Sequence, residues 1–213
     1  MPGTLPSTPA PARIQIRSIQ PSKVSVAHSM KRSSRSLGAQ RFAFRLIYPP
    51  MTFARAAVLW AHLMAQRGQF ETFQFFLPQR YWPFRGAGGG TPRVNDLAGS
   101  PSTGQLGNRS IATDGWPAST TVLLASDFVK FAGHSKVYQQ LVDLTTDGTG
   151  AGFLTLEPAL VAEPADDELI GVGNVPFTVA LASDMPEMDA MPRGGPSGTG
   201  GKFSLELDLV EAY

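Results

Sequence analysis

The sequence predicts a mainly β chain with one α-helix, the helix covering a barrel or sandwich built by most of the other residues. Three observations predict it. The 22 Gly, 18 Pro and only 16% charged residues suit many turns and short strands better than packed helices. Runs that alternate polar and apolar residues, separated by turn chemistry, recur from residue 13 to residue 211. One stretch, residues 40–78, departs from that pattern and reads as strand, helix, strand.

In chain order, residues 1–12 are rich in Pro, Ser and Thr and predict an extended N-terminal arm; they lack the apolar run of a secretory signal. Arg13–Ile19 alternates, Pro21 interrupts, and Lys23–Ala27 alternates again. Met30–Gly38 is polar and basic, a connecting loop. Gln40–Tyr48 is a half-buried strand that Pro49-Pro50 should stop, because neither proline donates a ladder hydrogen bond. A helix is predicted over residues 52–67, with Thr52 as N-cap, Arg67 in the last turn and Gly68 just beyond. Its predicted core face carries Phe53, Ala56, Ala57, Trp60, Leu63 and Met64; His62 lies off that stripe, toward solvent. Phe70–Leu77 is the returning strand, closed by Pro78.

Aromatic residues then crowd into Gln79–Phe84. Two readings of Tyr81, Trp82 and Phe84 stay open: an interface patch, or the anchored edge of the core. Residues 86–110 are mostly Gly, Ser, Thr, Asn and Pro, a long surface loop. Thr121–Ala125, Phe128–Phe131 and Lys136–Leu144 are strand-like, and Asp147-Gly148-Thr149-Gly150 is a tight turn before the strand Gly152–Leu156. An acidic loop at 163–168 and a strand Val175–Ala182 follow. A Met/Pro/Gly loop, Met185–Gly201, leads to Lys202–Glu211, which alternates almost without fault.

Charge is unevenly placed. Residues 1–100 hold 13 Lys/Arg and 2 Asp/Glu, a balance of +11; residues 101–213 hold 5 and 15, a balance of −10. Either the halves intermix and their fields cancel, or a basic face of one subunit meets an acidic face of the next in a head-to-tail contact. Lys31, Arg32 and Arg35 are the basic candidates; they read as a solvated loop, or as contacts to nucleic-acid phosphates or an acidic partner.

No catalytic constellation emerges. Gly133-His134-Ser135 lacks the second glycine of a nucleophile elbow, and Asp127, His134 and Ser135 have no supporting motif. The three histidines lack metal-ligand spacing, and the absence of cysteine removes thiolate chemistry. Gly86–Gly90 is neither a P-loop nor a dinucleotide fingerprint. Asp166-Asp167-Glu168 is the local carboxylate cluster that a hydrolase would need; adjacent carboxylates beside proline are otherwise simply solvated. Neither a cofactor nor a metal is expected, and no run of about 20 apolar residues predicts a membrane span.

Two stretches carry a family resemblance. One is Leu46-Ile47-Tyr48-Pro49-Pro50-Met51-Thr52, the helix, Arg67-Gly68, and Phe73-Gln74-Phe75-Phe76-Leu77-Pro78. The other holds Gly115-Trp116-Pro117, Leu124–Phe131, Lys136-Val137-Tyr138, Asp147–Gly150 and Leu156–Leu160. Together they resemble the distal tail proteins of long-tailed bacteriophages and gene-transfer agents. The resemblance implies a split β-barrel over 13–85 with its helix, a long Gly-rich loop over 86–115, a small inserted β-barrel over 116–173, and strands at 174–213 that return to the first barrel. It further implies a virion protein without catalytic residues, assembled as a hexameric ring that adjoins the tail tube above and tip hub or fibre proteins below, with DNA passing its lumen without specific binding. Ser126 stands where that pattern carries glycine. The alternatives are a tail-tube or tube-terminator subunit, and a monomeric carbohydrate- or receptor-binding β module.

Overall fold

The structure, a computed structural model, describes residues 3–38, 40–95, 106–191 and 201–213. Among these the chain forms β1 (Arg13–Ile19), β2 (Ser22–Val26), β3 (Arg32–Ser36), β4 (Arg41–Thr52), α1 (Phe53–Ala65), β5 (Phe73–Phe76), β6 (Arg93–Val94) and β7 (Ser110–Asp114). There follow β8 (Thr121–Leu123), β9 (Phe128–Phe131), β10 (Tyr138–Gln140), β11 (Leu144–Thr145) and β12 (Gly152–Glu157). The last are β13 (Ile170–Val172), β14 (Pro176–Leu181), β15 (Met188–Met191) and β16 (Lys202–Glu211). The chain is mainly β with one helix, and it divides into two compact units.

The first unit comprises Met1–Ile19, Arg41–Phe75 and Thr178–Tyr213. Its spine is the long antiparallel pair β4 and β16, in a sheet ordered β1-β4-β16-β14-β5, with β15 also on β16. Alternation decides the pairing. Phe44, Leu46 and Tyr48 on one strand stand opposite Leu209, Leu207 and Leu205 on the other, and all six are buried. A slip of one residue would turn that whole apolar set to solvent. The sheet is strongly curled: β4 and β5 lie three strands apart, about 14 Å in a flat sheet, yet the rings of Phe44 and Phe75 stand 5.1 Å apart, edge to face. The N-terminal arm is extended and docked. Leu5 is buried, its N–H donates to Gln74 O at 2.8 Å, and Gln74 N–H donates to Gly3 O at 2.9 Å.

Several expectations change here. Pro49-Pro50 does not end β4, which runs to Thr52. The register with β16 shifts at that point: Tyr48 pairs with Leu205 and Met51 with Phe203, so both prolines face an irregularity that needs no donor from them. Thr52 makes no side-chain capping bond, and Arg67 lies past the helix with φ +55°, ahead of Gly68 at +70°. The helix packs against β4 and β16 through Ala56, Leu59 and Leu63. Of the predicted core face, Leu63 is buried and Trp60 half-buried, but Phe53 is 60% exposed and Met64 47% exposed. Val58-Leu59-Trp60 are all apolar, so periodicity alone could not choose the inward one; the helix is rotated to put Leu59 inside. Exposed Phe53 instead packs on Phe203, with centroids 5.4 Å apart. His62 is half-buried, edge-on to Phe73 at 5.1 Å.

The second unit comprises Gln20–Gln40 and Phe76–Phe177. Its main sheet is ordered β13-β9-β10-β12-β7-β6, and it nearly closes on itself as a six-stranded barrel. The seam between β6 and the residues before β13 is made by the Arg93–Leu169 bridge, Val94 N–H to Glu168 O (3.0 Å) and Ile170 N–H to Pro92 O (2.9 Å). Ile111, Phe131, Tyr138, Leu154 and Leu156 fill its interior. One end is drawn shut around buried Trp116, whose indole N–H donates to Thr113 Oγ1 at 2.9 Å. There Thr91 N–H donates to Gly115 O (2.9 Å) and Trp116 N–H to Gly150 O (3.2 Å). A Cβ on Gly115 would lie 2.3 Å from Thr91 O, and one on Gly150 would lie 2.1 Å from Trp116 O. Both glycines also take positive φ, +74° and +80°.

This unit revises the expected boundaries. The 86–115 span, read as loop, supplies two barrel strands, β6 and β7; residues 96–105 of that span lie outside the described residues. The 185–201 loop contains β15, and its residues 192–200 likewise lie outside them. Lys136–Leu144 is not one strand: the chain turns between β10 and β11, where Asp143 Oδ1 accepts Ala125 N–H at 2.8 Å. The basic stretch 30–38 is not a loop but holds β3, paired with β2.

Leu63→Ala should lower unfolding free energy by about 2–5 kcal/mol, whereas Met64→Ala should stay within about 0.5 kcal/mol, both read from urea melts. Burial lowers the His62 pKa below its ordinary 6.5. The unfolded chain therefore binds that proton more readily, and stability is lost as pH falls from 6.5 toward the lowered folded value. Melts across that window should show stability rising with pH, and His62→Gln should remove this part of the slope.

Candidate functional site

The surface that stands out is the hairpin of β2 and β3. Every residue of both strands is exposed. Its register sets the chemistry of its two faces. Lys23 pairs with Arg35 and Ser25 with Ser33, and Ala27 N–H donates to Lys31 O at 2.9 Å, so Lys23, Arg35 and Lys31 project from one face with two serines between them. Val24 and Val26 fall on the other, beside Ser34 and Arg32. Like charges directly opposite in an antiparallel pair repel each other. No salt bridge among the described residues reaches these cations. Met30, at the turn, has φ +63° and is 83% exposed. Of the predicted interface residues, Lys31, Arg32 and Arg35 thus share one hairpin.

The aromatic segment belongs to the barrel wall. Trp82 lies over Phe128, with centroids 5.4 Å apart, and its indole N–H donates to Ser126 O at 3.0 Å. Phe84 packs on the barrel core. Tyr81 is covered by the Arg80 guanidinium, 4.6 Å above its ring. All three rings are partly buried, the anchored-edge alternative rather than an open platform. Asp127 completes the anchor, a role that sequence reasoning missed. Its buried carboxylate accepts Leu124 N–H (2.8 Å), Gly86 N–H (3.1 Å) and Arg85 N–H (3.2 Å), and the Arg85 side chain reaches Ala125 O at 2.7 Å. A buried acid beside a turn that needs N–H acceptors was the available signal.

The acidic trio is split by role. Glu168 turns inward, accepting Gly133 N–H and Ala165 N–H, with His134 Nε2 3.8 Å away. Asp167 takes φ +62° and gives its carbonyl to Arg93; Asp166 is exposed. No paired-carboxylate groove forms from them. Asp127 spends its carboxylate on backbone donors, and the ionic neighbour of His134 is Glu168, so the Asp127–His134–Ser135 grouping is not assembled. Among the described residues no cluster of three His, Asp or Glu could hold a metal ion. Asp147 is a turn residue: Oδ1 takes the Thr149 hydroxyl and the N–H groups of Thr149 and Ala151, which holds its pKa below the usual carboxylate range. No described helix is long and apolar enough to cross a membrane.

A second charged surface lies in the first unit, between β15 and β16. Glu187, Asp189, Glu206 and Asp208 line a groove of about 360 Å³, with Met185 at its wall. Arg45, also in its wall, pairs with Glu206. Sequence reasoning did not single it out, because its carboxylates come from two strands adjacent only in the fold.

No protein-family model matches this chain, and comparison with the curated proteins finds no match.

Ser126 holds φ +81°, a conformation that glycine adopts without steric cost. Ser126→Gly should raise unfolding free energy by about 0.5–1 kcal/mol, measured by urea denaturation.

Proposed function

We propose that this chain is a structural, non-enzymatic protein of a phage tail tip: a distal tail protein whose copies close into a ring joining the tail tube to the tip complex around the DNA passage. The observation that carries the reading is how the chain is shared between its units. Residues 76–177, together with 20–40, gather into one compact unit, while residues 1–19, 41–75 and 178–213 gather into another, which holds the helix against a curled sheet. The resemblance on residues 46–78 and 115–160 implies a split barrel interrupted by an inserted one, with residues 20–40 and 76–85 counted in the first rather than the second. Two further features support it. The charged surfaces are separated by sign, one on a hairpin and one on a groove, as heterologous ring or stack contacts require. Of the acids and aromatics singled out in the sequence, Asp127 and Glu168 are spent on backbone donors and Trp82 is packed on Phe128.

The mechanism on this reading is mechanical. A ring of sister copies covers strand edges that an isolated curled sheet leaves at its ends, and β1 is such a terminal strand. Six copies, the stoichiometry the resemblance implies, would enclose a lumen. Tube protein would meet one face, and hub or fibre proteins the other.

Negative-stain electron microscopy and light-scattering mass of the purified chain test the reading. The expected outcome is a particle with a central hole and a mass several times that of one chain. A single-chain mass at every concentration examined would overturn it.

A further inference from the structure

We infer that the cationic face of the β2–β3 hairpin docks into the acidic β15–β16 groove of a second copy of this chain. The inference rests on the ring reading above and names the contact that builds it.

Two independent features meet in it. The first is the hairpin, which carries three cations on one face, two of them directly opposed, with no anion among the described residues bridging them. Such a pair destabilises its own hairpin unless carboxylates or phosphates come between. The second is the groove. It sets four carboxylates, all exposed, against one guanidinium. Arg45 neutralises Glu206, which leaves Glu187, Asp189 and Asp208, three negative charges facing the three positive ones of Lys23, Lys31 and Arg35.

The apolar groups match as well. Met30 projects from the hairpin turn, and Met185, 76% exposed, stands at the groove wall. Unbranched methionines adapt to each other's shape when two surfaces close. An anionic polymer would satisfy the cations but leave Met30, exposed at the hairpin turn, in water. A protein groove that sets carboxylates beside the exposed Met185 accommodates both the cations and Met30. The contact is heterologous, hairpin to groove, so each copy offers one of each and association can propagate to ring closure or stacking.

Charge reversal tests it on the full chain. Lys23→Glu with Arg35→Glu should weaken self-association by about tenfold or more in sedimentation. Glu187→Lys with Asp189→Lys should do the same. Mixing these two variants should restore association between them, a rescue that misfolding of either could not produce. Raising salt to about 1 M, where screening acts beyond about 3 Å, should dissociate the wild-type contact. Carbodiimide cross-linking of mixed ¹⁵N-labelled and unlabelled chains should join Lys23 or Lys31 to Glu187, Asp189 or Asp208 across copies. The inference is overturned if the wild type assembles and either reversed variant assembles equally well, an outcome that leaves the ring reading standing. It is also overturned if the hairpin variant assembles normally but loses retention on duplex DNA, which would assign the cations to nucleic acid. A wild type that stays monomeric overturns both.

Discussion

The second unit depends on one close approach of main chain to main chain. Around Trp116, the segments at 91, 115–116 and 150 come within hydrogen-bonding distance, and no Cβ fits at Gly115 or Gly150. That approach brings the ends of β6, β7 and β12 to one point and lets the indole plug the barrel there. A second set of backbone bonds, from Asp127 to residues 85, 86 and 124, ties the incoming segment to the wall. Both are polar solutions to a packing problem: short strands leave many backbone groups needing partners, and a buried group without one costs more than a hydrogen bond contributes.

The first unit solves the same problem with length. β4 and β16 pair over most of their length, and their inward residues are almost all apolar. Glu211 is the exception; it is buried, and its Oε2 accepts Phe42 N–H at 3.0 Å. It falls on the inward phase of the same alternation that buries Leu205, Leu207 and Leu209, so its position was legible even though its partner was not. On the outward phase, Glu206 and Asp208 face the groove. One strand therefore supplies the core with its odd positions and a charged surface with its even ones, which couples the fold to the surface proposed for assembly.

How much of this was legible varied with the physical origin of each feature. β16 emerged with its bounds intact, because ten residues of clean alternation permit one period and one inward face. The helix was legible as a helix, but its facing was not. Three consecutive apolar residues at 58–60 blur the stripe, and the choice of Leu59 is made by the sheet beneath. β3 was missed because Arg32–Ser36 has no apolar phase at all; it is a strand only through its register with β2. β6 is two residues long and exists because the barrel seam needs a partner at 92–94. Of the candidate site, the basic residues were visible in sequence and the groove was not.

What the sequence determined by itself was the class of the chain: mainly β, one helix near residues 52–67, a tight turn at Asp147–Gly150, and a separation of charge along its length. These follow from local periodicity and local backbone preference, which act over a few residues. The tertiary structure alone decided which strands share an edge, which way the helix faces, that Trp82 and Phe84 brace a wall, and that Glu187 and Asp189 share a groove with Glu206 and Asp208. Each of those joins residues far apart in the chain, and their energies come from burial and backbone pairing that exist only once both partners are in place.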